Sequence, residues 1–338
     1  MTTTTLDWTS TEVSDGLPII APTKARVHEL LDYRGWDPAA VIGAVPPRNG
    51  LLTYEVAAAN AVMTGCTPEQ FLLVTEALAA MLEPAFNLYA IQATTHPVGP
   101  TIIFSGPAAT DAGVTSGQGC FGPGNAGNVR VGRAVRLILQ NVGGARAGGL
   151  DRATFGTPHK SSMVFAEKGV ESDGVNWTTR AAEFAGDGAN VVTVVATEGP
   201  HEVNDHRSFT AHDLLRQIAF SLANVGTNDA LFFPDSTPVV VLGPEHARTI
   251  AGDGWSRQDA REYIARHARV PLRHWSRVNI DGHFAEKWPS LYTGADDFTD
   301  VPVVTADELV LVVAGGEGKH SMISPSYGVS KTVSRVFE

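Results

Sequence analysis

The stretch Ser116-Gly-Gln-Gly-Cys-Phe-Gly-Pro-Gly-Asn-Ala-Gly-Asn-Val-Arg-Val-Gly-Arg133 passes from a glycine-rich loop into a helical pattern. Beyond Asn125, apolar residues recur at helical spacing, with Arg130, Arg133 and Arg136 between them. A glycine loop that runs into a helix leaves several backbone N–H groups unpaired at the helix start. These donors, the helix dipole and the arginines predict an anion site. The alternative interpretation is a tight turn with an asparagine cap and surface arginines.

On both sides of this stretch, predicted helices alternate with predicted strands. Thr67, Pro68 and Gln70 form a start signal for a helix over 67–82, and residues 53–64 also have a helical pattern. A further helix is expected at the C-terminus. Strands are predicted over residues 87–94, 101–105, 162–166, 191–196, 238–242 and 309–313. The alternation predicts an α/β protein, with short buried strands and Gly/Pro-rich loops from strand to helix.

Two segments resemble each other, Pro100-Thr-Ile-Ile-Phe-Ser-Gly-Pro107 and Thr237-Pro-Val-Val-Val-Leu-Gly-Pro244. Each is a predicted strand followed by Gly-Pro and a short helix, which favours two related α/β lobes. The alternative is that any turn from strand to helix favours Gly and Pro. We expect an N-terminal arm at 1–20, a first lobe at 21–185 and a second lobe at 186–338.

The composition restricts the classes of function. The 338 residues carry a net charge of -11, which argues against nucleic acid or an anionic membrane as a partner. No apolar run reaches the roughly 20 residues that span a bilayer, so no membrane segment is expected. The two cysteines, Cys66 and Cys120, form no CxxC pair, and the N-terminus lacks a signal-peptide pattern. We expect a cytoplasmic protein that forms a homo-oligomer.

Several histidines follow predicted strand ends or lie in Gly/Pro turns, where open α/β sheets bind ligands, so we expect a common cleft. Histidine is suited to proton transfer, and lysine stabilises developing negative charge. The alternative is that these are surface or structural residues. The residues predicted to act in catalysis are His96, His201, His206, His320 and Lys319. The residues predicted to bind substrate are Asn125, Asn128, Arg130, His159, Lys160 and Ser321.

Two further arrangements stay open. His201, Asp205 and His206 are residue types that bind a divalent metal ion, although their spacing matches no zinc motif. Cys120 lies within the glycine loop before a helix, a position that can lower the pKa of a thiol and make it a nucleophile. The absence of the GxGxxG and GxxxxGK[ST] patterns argues against a bound nucleotide, and no organic cofactor is expected.

Five motifs occur together: Asp15-Gly-Leu-Pro18, Asn60-Ala-Val-Met-Thr-Gly-Cys66, Ala93-Thr-Thr-His-Pro97, Gly122-Pro-Gly-Asn-Ala-Gly-Asn128 and Gly315-Gly-Glu-Gly-Lys-His-Ser321. In these motifs, and over most of its length, the chain resembles a bacterial family of poorly characterised proteins labelled UGSC-like. That label comes from companion proteins with a selenocysteine-Gly-Ser-Cys motif. Because this chain lacks the motif, the resemblance implies no redox role. It implies that the five stretches mark the family's site.

The leading hypothesis is an enzyme that acts on a small anionic metabolite by acid–base chemistry, in a cleft between the two lobes. It would be a lyase or a hydrolase without a cofactor. The second hypothesis is a metal-dependent enzyme that uses His201, Asp205 and His206. The third is a non-catalytic protein, or a partner subunit of a thiol or selenol reductase system.

Overall fold

The computed structural model describes residues 13–172, 175–289 and 299–338. The part before the first long strand is mostly helical and includes one hairpin. Its elements are α1 (Lys24–Asp32), β1 (Val41–Val45), β2 (Gly50–Thr53), α2 (Tyr54–Thr64), α3 (Pro68–Met81) and α4 (Leu88–Gln92). The elements that follow are β3 (Gly99–Ser105), α5 (Pro107–Asp111), α6 (Ala126–Asn141), β4 (Val164–Ala166), β5 (Val170–Ser172), β6 (Val175–Trp177) and α7 (Arg180–Ala185).

The rest of the chain repeats the alternation of strands and helices. Its first elements are β7 (Asn190–Thr197), β8 (His201–Asn204), α8 (Ala211–Leu222), α9 (Asn228–Phe232), β9 (Val239–Leu242), α10 (Pro244–Gly252) and α11 (Arg257–His267). Its last elements are β10 (Arg269–Pro271), α12 (Arg277–Asn279), a π-helical turn (Ile280–Phe284), α13 (Ala285–Lys287), β11 (Asp300–Pro302), β12 (Val310–Val313), β13 (His320–Ser324) and β14 (Val333–Phe337). Among the described helices, none has the length and apolar character needed to span a membrane.

Two four-stranded mixed sheets form the centre of the molecule. The first has the order β14-β7-β3-β4, with β3 and β4 parallel and the other pairs antiparallel. The second has the order β8-β13-β9-β12, with β9 and β12 parallel and the other pairs antiparallel. The pairings therefore occur in the same order in both sheets. The two similar sequence segments become β3 and β9, which occupy the same position in their sheets.

The sheets pack face to face, with helices on both outer faces. Because strand side chains alternate, neighbouring residues of one strand lie in different apolar layers. Ile102 and Phe104 of β3 pack with the helices α2, α3 and α6, whereas Ile103 packs between the sheets. In the second sheet, Val240 packs towards α8, α10 and α11, and Val241 packs between the sheets. The architecture has four layers, helix–sheet–sheet–helix, and the α/β class is confirmed.

The chain passes from one sheet to the other twice, and each time it enters an edge strand. β8 directly follows β7 but joins the second sheet, and β14 follows β13 but joins the first. The two connections cross and pair where Thr197 lies opposite Ser326, and Glu198 N donates to Pro325 O at 2.8 Å. The expected boundary near residue 185 does not coincide with the division into sheets, because β7 and β14 lie in the first sheet. The division into two lobes stays a prediction.

Most local predictions are confirmed, including the capping box at Thr67 and Gln70 that begins α3. The strand predicted over 87–94 is wrong, because Leu88, Ile91 and Gln92 are buried at helical spacing in α4. The predicted C-terminal helix is also wrong. Residues 333–337 pair with β7, and Phe337 packs against the first helical layer, so a long-range pairing decides the conformation.

Residues 13–20 of the expected N-terminal arm pack on the same chain, where Arg133 forms two hydrogen bonds of 2.8 Å with the carboxylate of Asp15. Residues 1–12 lie outside the described residues.

A buried ion pair joins the two halves at the carboxyl end of β4. Arg257 Nη1, at the start of α11, lies 3.0 Å from Glu167 Oε1, with side chains 5% and 0% exposed. Glu167 also accepts hydrogen bonds from Ser105 Oγ at 2.6 Å and from Arg180 N at 2.7 Å. Burial raises the pKa of Glu167, although Arg257 beside it acts in the opposite direction. Arg257 Nη1 also lies 3.5 Å from Glu183 Oε1, but that side chain is 33% exposed, so Glu167 is the closer and fully buried counter-charge of Arg257.

We expect Glu167→Gln to lower the free energy of unfolding by about 3–5 kcal/mol, because the buried Arg257 loses its closer carboxylate and keeps only the longer contact with Glu183. Urea denaturation measures this change. The matched control is Glu317→Gln, which breaks the solvent-exposed pair with Arg248 and is expected to change stability far less. Equal effects of the two substitutions would contradict the assignment.

Candidate functional site

A cavity of about 320 Å³ opens at the carboxyl ends of β9 and β12. One wall is the glycine loop before α6, from Gln118 to Gly122, and another is the glycine loop after β12, from Ala314 to Gly318. Val241, Gly243, His320, Ser321 and Met322 complete the lining. The two glycine-rich stretches singled out in the sequence therefore border one cavity.

The two glycine loops touch each other at Gly316, which has no side chain to keep them apart. A Cβ at Gly316 would lie 2.9 Å from the Cβ of Gln118, closer than real side chains approach. Gly315 N donates to Ser116 O at 2.8 Å, which joins the loops through the backbone. Gly315 has φ 107° and Gly318 has φ 138°, conformations that favour glycine. Glycine is thus required for the close approach and for the turn.

His320 is the catalytic candidate that lies at this cavity. It begins β13, next to β8, and its Nδ1 lies 2.6 Å from Glu202 Oε1. The ring of His206 contacts it edge-on, with 5.0 Å between ring centres. A carboxylate only accepts, so Nδ1 carries the proton in this pair and Nε2 of the neutral ring is left as a base. The predicted residues His206 and His320 are thus brought together.

Sequence reasoning missed His246, a buried residue of α10. Its Nε2 donates to Asp205 O at 3.0 Å, so Nδ1 accepts the hydroxyl proton of Ser321 at 2.8 Å. Burial lowers the pKa of His246, which favours the neutral ring. Ser321 borders the cavity, but its hydroxyl is held by this bond, and the same network fixes the turn before His206. The only sequence signal was the position of His246 after the repeated Gly-Pro.

Cys120 also borders the cavity and packs in the apolar layer between the sheets. Burial raises the pKa of its thiol to about 11, although the backbone N–H groups of Phe121 and Gly315 and the charge of Lys168 act in the opposite direction. The expectation of a lowered pKa at this position is therefore wrong. Cys66 is also buried, and burial raises the pKa of its thiol to about 12.

The amides predicted to bind an anion instead hold the glycine loop. Asn125 Nδ2 donates to Gly119 O at 2.7 Å. Asn128 is buried, and its amide binds Thr115 N and O at 2.9 and 3.0 Å and Cys120 O at 3.1 Å. These two side chains therefore hold the loop in place, and their role in binding an anion stays a prediction.

The predicted cations of this region point away from the cavity. Arg130 lies against the end of α2, where its Nε is 3.6 Å from the position of a Cβ at Gly65. Lys319 Nζ lies 4.1 Å from the ring centre of Phe209, a cation–π contact. Lys160 lies at a different cavity, with its Nζ 2.7 Å from Asp151 Oδ2. These three residues therefore do not converge on His320.

His96 lies at the opposite end of the sheets. Its Nε2 is 3.1 Å from Glu198 Oε1, and its ring stacks on Tyr327 at 5.1 Å. The carboxyl ends of β4 and β12 adjoin, since Lys168 N donates to Val313 O at 3.0 Å. His96 precedes β3, whose carboxyl end lies on the side of the cavity. The seven residues of this strand separate its two ends by roughly 20 Å. The expected cleft shared by four histidines is therefore wrong.

His159 is also at this far end, buried beside Gly99 and Thr197. Burial lowers its pKa to about 4, which leaves a neutral ring at physiological pH. His201 faces α8, with its Nε2 3.2 Å from Ser221 O. Asp205 accepts from Ser208 Oγ at 2.7 Å. His201, Asp205 and His206 do not form a common site, and within residues 13–172, 175–289 and 299–338 no group of three or more His, Cys, Asp or Glu is arranged to bind a metal ion.

Asp229 is a buried carboxylic acid that sequence reasoning missed. Its Oδ1 accepts from Ser326 Oγ at 2.6 Å and from Ser326 N at 3.0 Å, at the crossing of the two connections. Its Oδ2 has no partner in the described structure. Burial raises the pKa of Asp229 to about 7, although the hydrogen bonds from Ser326 act in the opposite direction.

Comparison of this chain with protein-family models, curated proteins and solved structures finds no match.

We expect iodoacetamide to alkylate Cys120 slowly at pH 7 and about tenfold faster for each unit of pH up to pH 9, because only the thiolate reacts. This follows from the pKa of about 11. Peptide mass spectrometry separates Cys120 from Cys66, and Cys120→Ser is the control. A rate for Cys120 that is already constant between pH 7 and pH 9 would contradict the raised pKa.

Asp229 predicts a pH dependence of stability. Its folded-state pKa of about 7 exceeds the ordinary value of 3.8, so the folded state holds a proton that the unfolded state releases above pH 4. The free energy of unfolding should therefore fall as pH rises from 4 to 7, by about 4 kcal/mol. Asp229→Asn mimics the protonated acid and should be more stable than the parent at pH 8 but not at pH 4. Urea denaturation of both proteins at pH 4 and pH 8 tests this. The same difference in stability between variant and parent at the two pH values would refute it.

Proposed function

We propose that this chain is an enzyme that acts on a small anionic metabolite by acid–base chemistry in the cavity between the two glycine loops. The observation that carries the proposal is the contact of 2.6 Å between His320 Nδ1 and Glu202 Oε1 at this cavity. A carboxylate that orients an imidazole leaves the other ring nitrogen ready to move a proton.

In the proposed reaction, Nε2 of His320 removes a proton from the bound substrate or from a water molecule. The imidazolium is stabilised by Glu202 and returns the proton to the leaving group. Both a lyase and a hydrolase use these two steps. The cavity volume of about 320 Å³ favours a small substrate.

The loop after β12 supplies groups suited to a negative charge. The backbone N–H groups of Gly316 and Gly318 have no acceptor within the described part of the chain. Successive N–H groups in a glycine turn bind anionic oxygen atoms. Lys168 adds positive charge on this side, since it is near enough to act on the thiol of Cys120. These groups would hold the anion and stabilise charge that develops during the reaction.

The alternatives have less support. The predicted metal ligands His201, Asp205 and His206 do not converge, because His201 is hydrogen-bonded at the end of α8. A role in thiol or selenol exchange requires a reactive thiolate, and the raised pKa values of Cys66 and Cys120 oppose it. The cytoplasmic location, the homo-oligomer and the resemblance to the UGSC-like family stay predictions.

The test begins with small carboxylic acids and phosphate esters, each screened for turnover and for slower alkylation of Cys120. A ligand in the cavity covers Cys120, so protection reports binding without knowledge of the reaction. We expect His320→Gln to lower turnover by a factor of about 10²–10⁴, the usual contribution of a general acid or base. Protection of Cys120 by the same ligand should change little.

The matched control is His201→Gln, a histidine of the same predicted set that lies against α8 and should keep full turnover. Full activity of His320→Gln in a folded protein would refute the proposal, as would a ligand that is turned over but does not protect Cys120.

A further inference from the structure

A separate cavity of about 600 Å³ lies on the first half of the chain. Its walls come from α6, from the loop over residues 147–161 and from Asp15 and Leu17 of the N-terminal segment. His320 does not border it. Besides Asp15, three charged side chains border it: Arg136, Asp151 and Lys160.

Two cations share one carboxylate in this cavity. Lys160 Nζ lies 2.7 Å and Arg136 Nη2 lies 3.4 Å from the same oxygen, Oδ2 of Asp151. The side chains of Arg136, Lys160 and Asp151 are only 14%, 10% and 6% exposed. Asp15 also attracts Arg136 but is paired with Arg133, so Arg133, Arg136 and Lys160 share two carboxylates, Asp15 and Asp151. One buried positive charge is therefore left without a counter-charge, which is unfavourable unless an anion binds.

Both cations also have donors to spare. The hydrogen bonds of Arg136 within the described residues both come from Nη2, to Ala145 O at 3.0 Å and to Asp151. Its Nε and Nη1 are left for a ligand, and Lys160 uses one of three N–H groups on Asp151. A guanidinium and an ammonium side by side match the oxygen atoms of a carboxylate or a phosphate.

Phe155 adds an apolar group at the border of the same cavity. It is 91% exposed, although burial of an aromatic ring is strongly favourable. A ring in this position can cover the uncharged part of a ligand whose anionic end lies on Arg136 and Lys160.

We infer that this cavity is a second binding site, for a small molecule with a carboxylate or phosphate group held by Arg136 and Lys160. The site is independent of the acid–base reaction proposed at His320. The excess charge, the free donors and the cavity volume of about 600 Å³ each support it, and the chain carries this positive site despite a net charge of -11.

Isothermal titration calorimetry of the full chain with inorganic phosphate and with succinate tests the inference. Lys160→Met should weaken binding at least tenfold, about the contribution of one charged hydrogen bond. Asp151→Asn should have the opposite effect and strengthen binding, because it removes the internal competitor. His320→Gln is the control and should bind the anion as the parent does, whatever its turnover.

If only one of the two ligands binds, and the variants change its affinity as expected, the site is supported and the class of anion is identified. The inference is overturned if neither ligand binds, or if the parent and Asp151→Asn bind with equal affinity. The second comparison decides the outcome even if Lys160→Met fails to fold. The side-chain oxygen of the asparagine in Asp151→Asn would still accept the bond from Ala153 N that Asp151 Oδ1 now accepts at 3.1 Å, so this variant keeps the loop in place.

Discussion

The apolar layer between the two sheets is the constraint on which the rest of the structure depends. Ile103, Phe165 and Val195 of the first sheet pack there with Val241 and Val312 of the second. Because strand side chains alternate, the next residue along each strand is apolar and must be covered by helices on the outer face. The layer ends at Cys120 and Ala314, where each chain segment becomes glycine-rich. The cavity is thus the end of the apolar layer, at the point where side chains are replaced by exposed backbone.

The exchange of edge strands accounts for the polar residues at the other end. The connections from β7 to β8 and from β13 to β14 cross there. Where two segments of the chain cross, they bury backbone groups that need hydrogen-bond partners. Thr101 and Thr197 form a side-chain hydrogen bond of 2.7 Å, and Asp229 binds both donors of Ser326. His96 and Glu198 belong to this network. His96 was predicted to follow a strand, but the segment before it is the helix α4, so His96 lies at the amino end of β3 and the rule for the carboxyl ends of strands does not apply to it.

Sequence patterns predicted what depends on local periodicity and turn chemistry. β7, β9 and β12 were visible as β-branched runs, α3 from its capping box, and the two glycine loops from composition. The direction of each side chain was not visible. The local sequence does not indicate that the side chain of Asn128 turns inward to hold its own loop, or that Arg130 lies against α2. It also does not indicate that β14 pairs with β7. These depend on contacts between residues far apart in the chain, and the partners of Lys160 and His246 are decided in the same way.

The common order of pairings in the two sheets allows the residues at their ends to be compared position by position. Ser105 of β3 and Leu242 of β9 occupy the same position, directly before Gly-Pro. With these two residues aligned, Asn190 of the first sheet corresponds to His320 of the second. Glu167 likewise corresponds to Val313. In the first sheet, Asn190 Oδ1 accepts from Ala108 N at 2.8 Å and caps α5. Glu167, Arg257 and Ser105 occupy the space beside it with an ion pair. The first sheet therefore uses its polar end to join the halves, whereas the same position of the second sheet presents His320, held by Glu202, to the cavity.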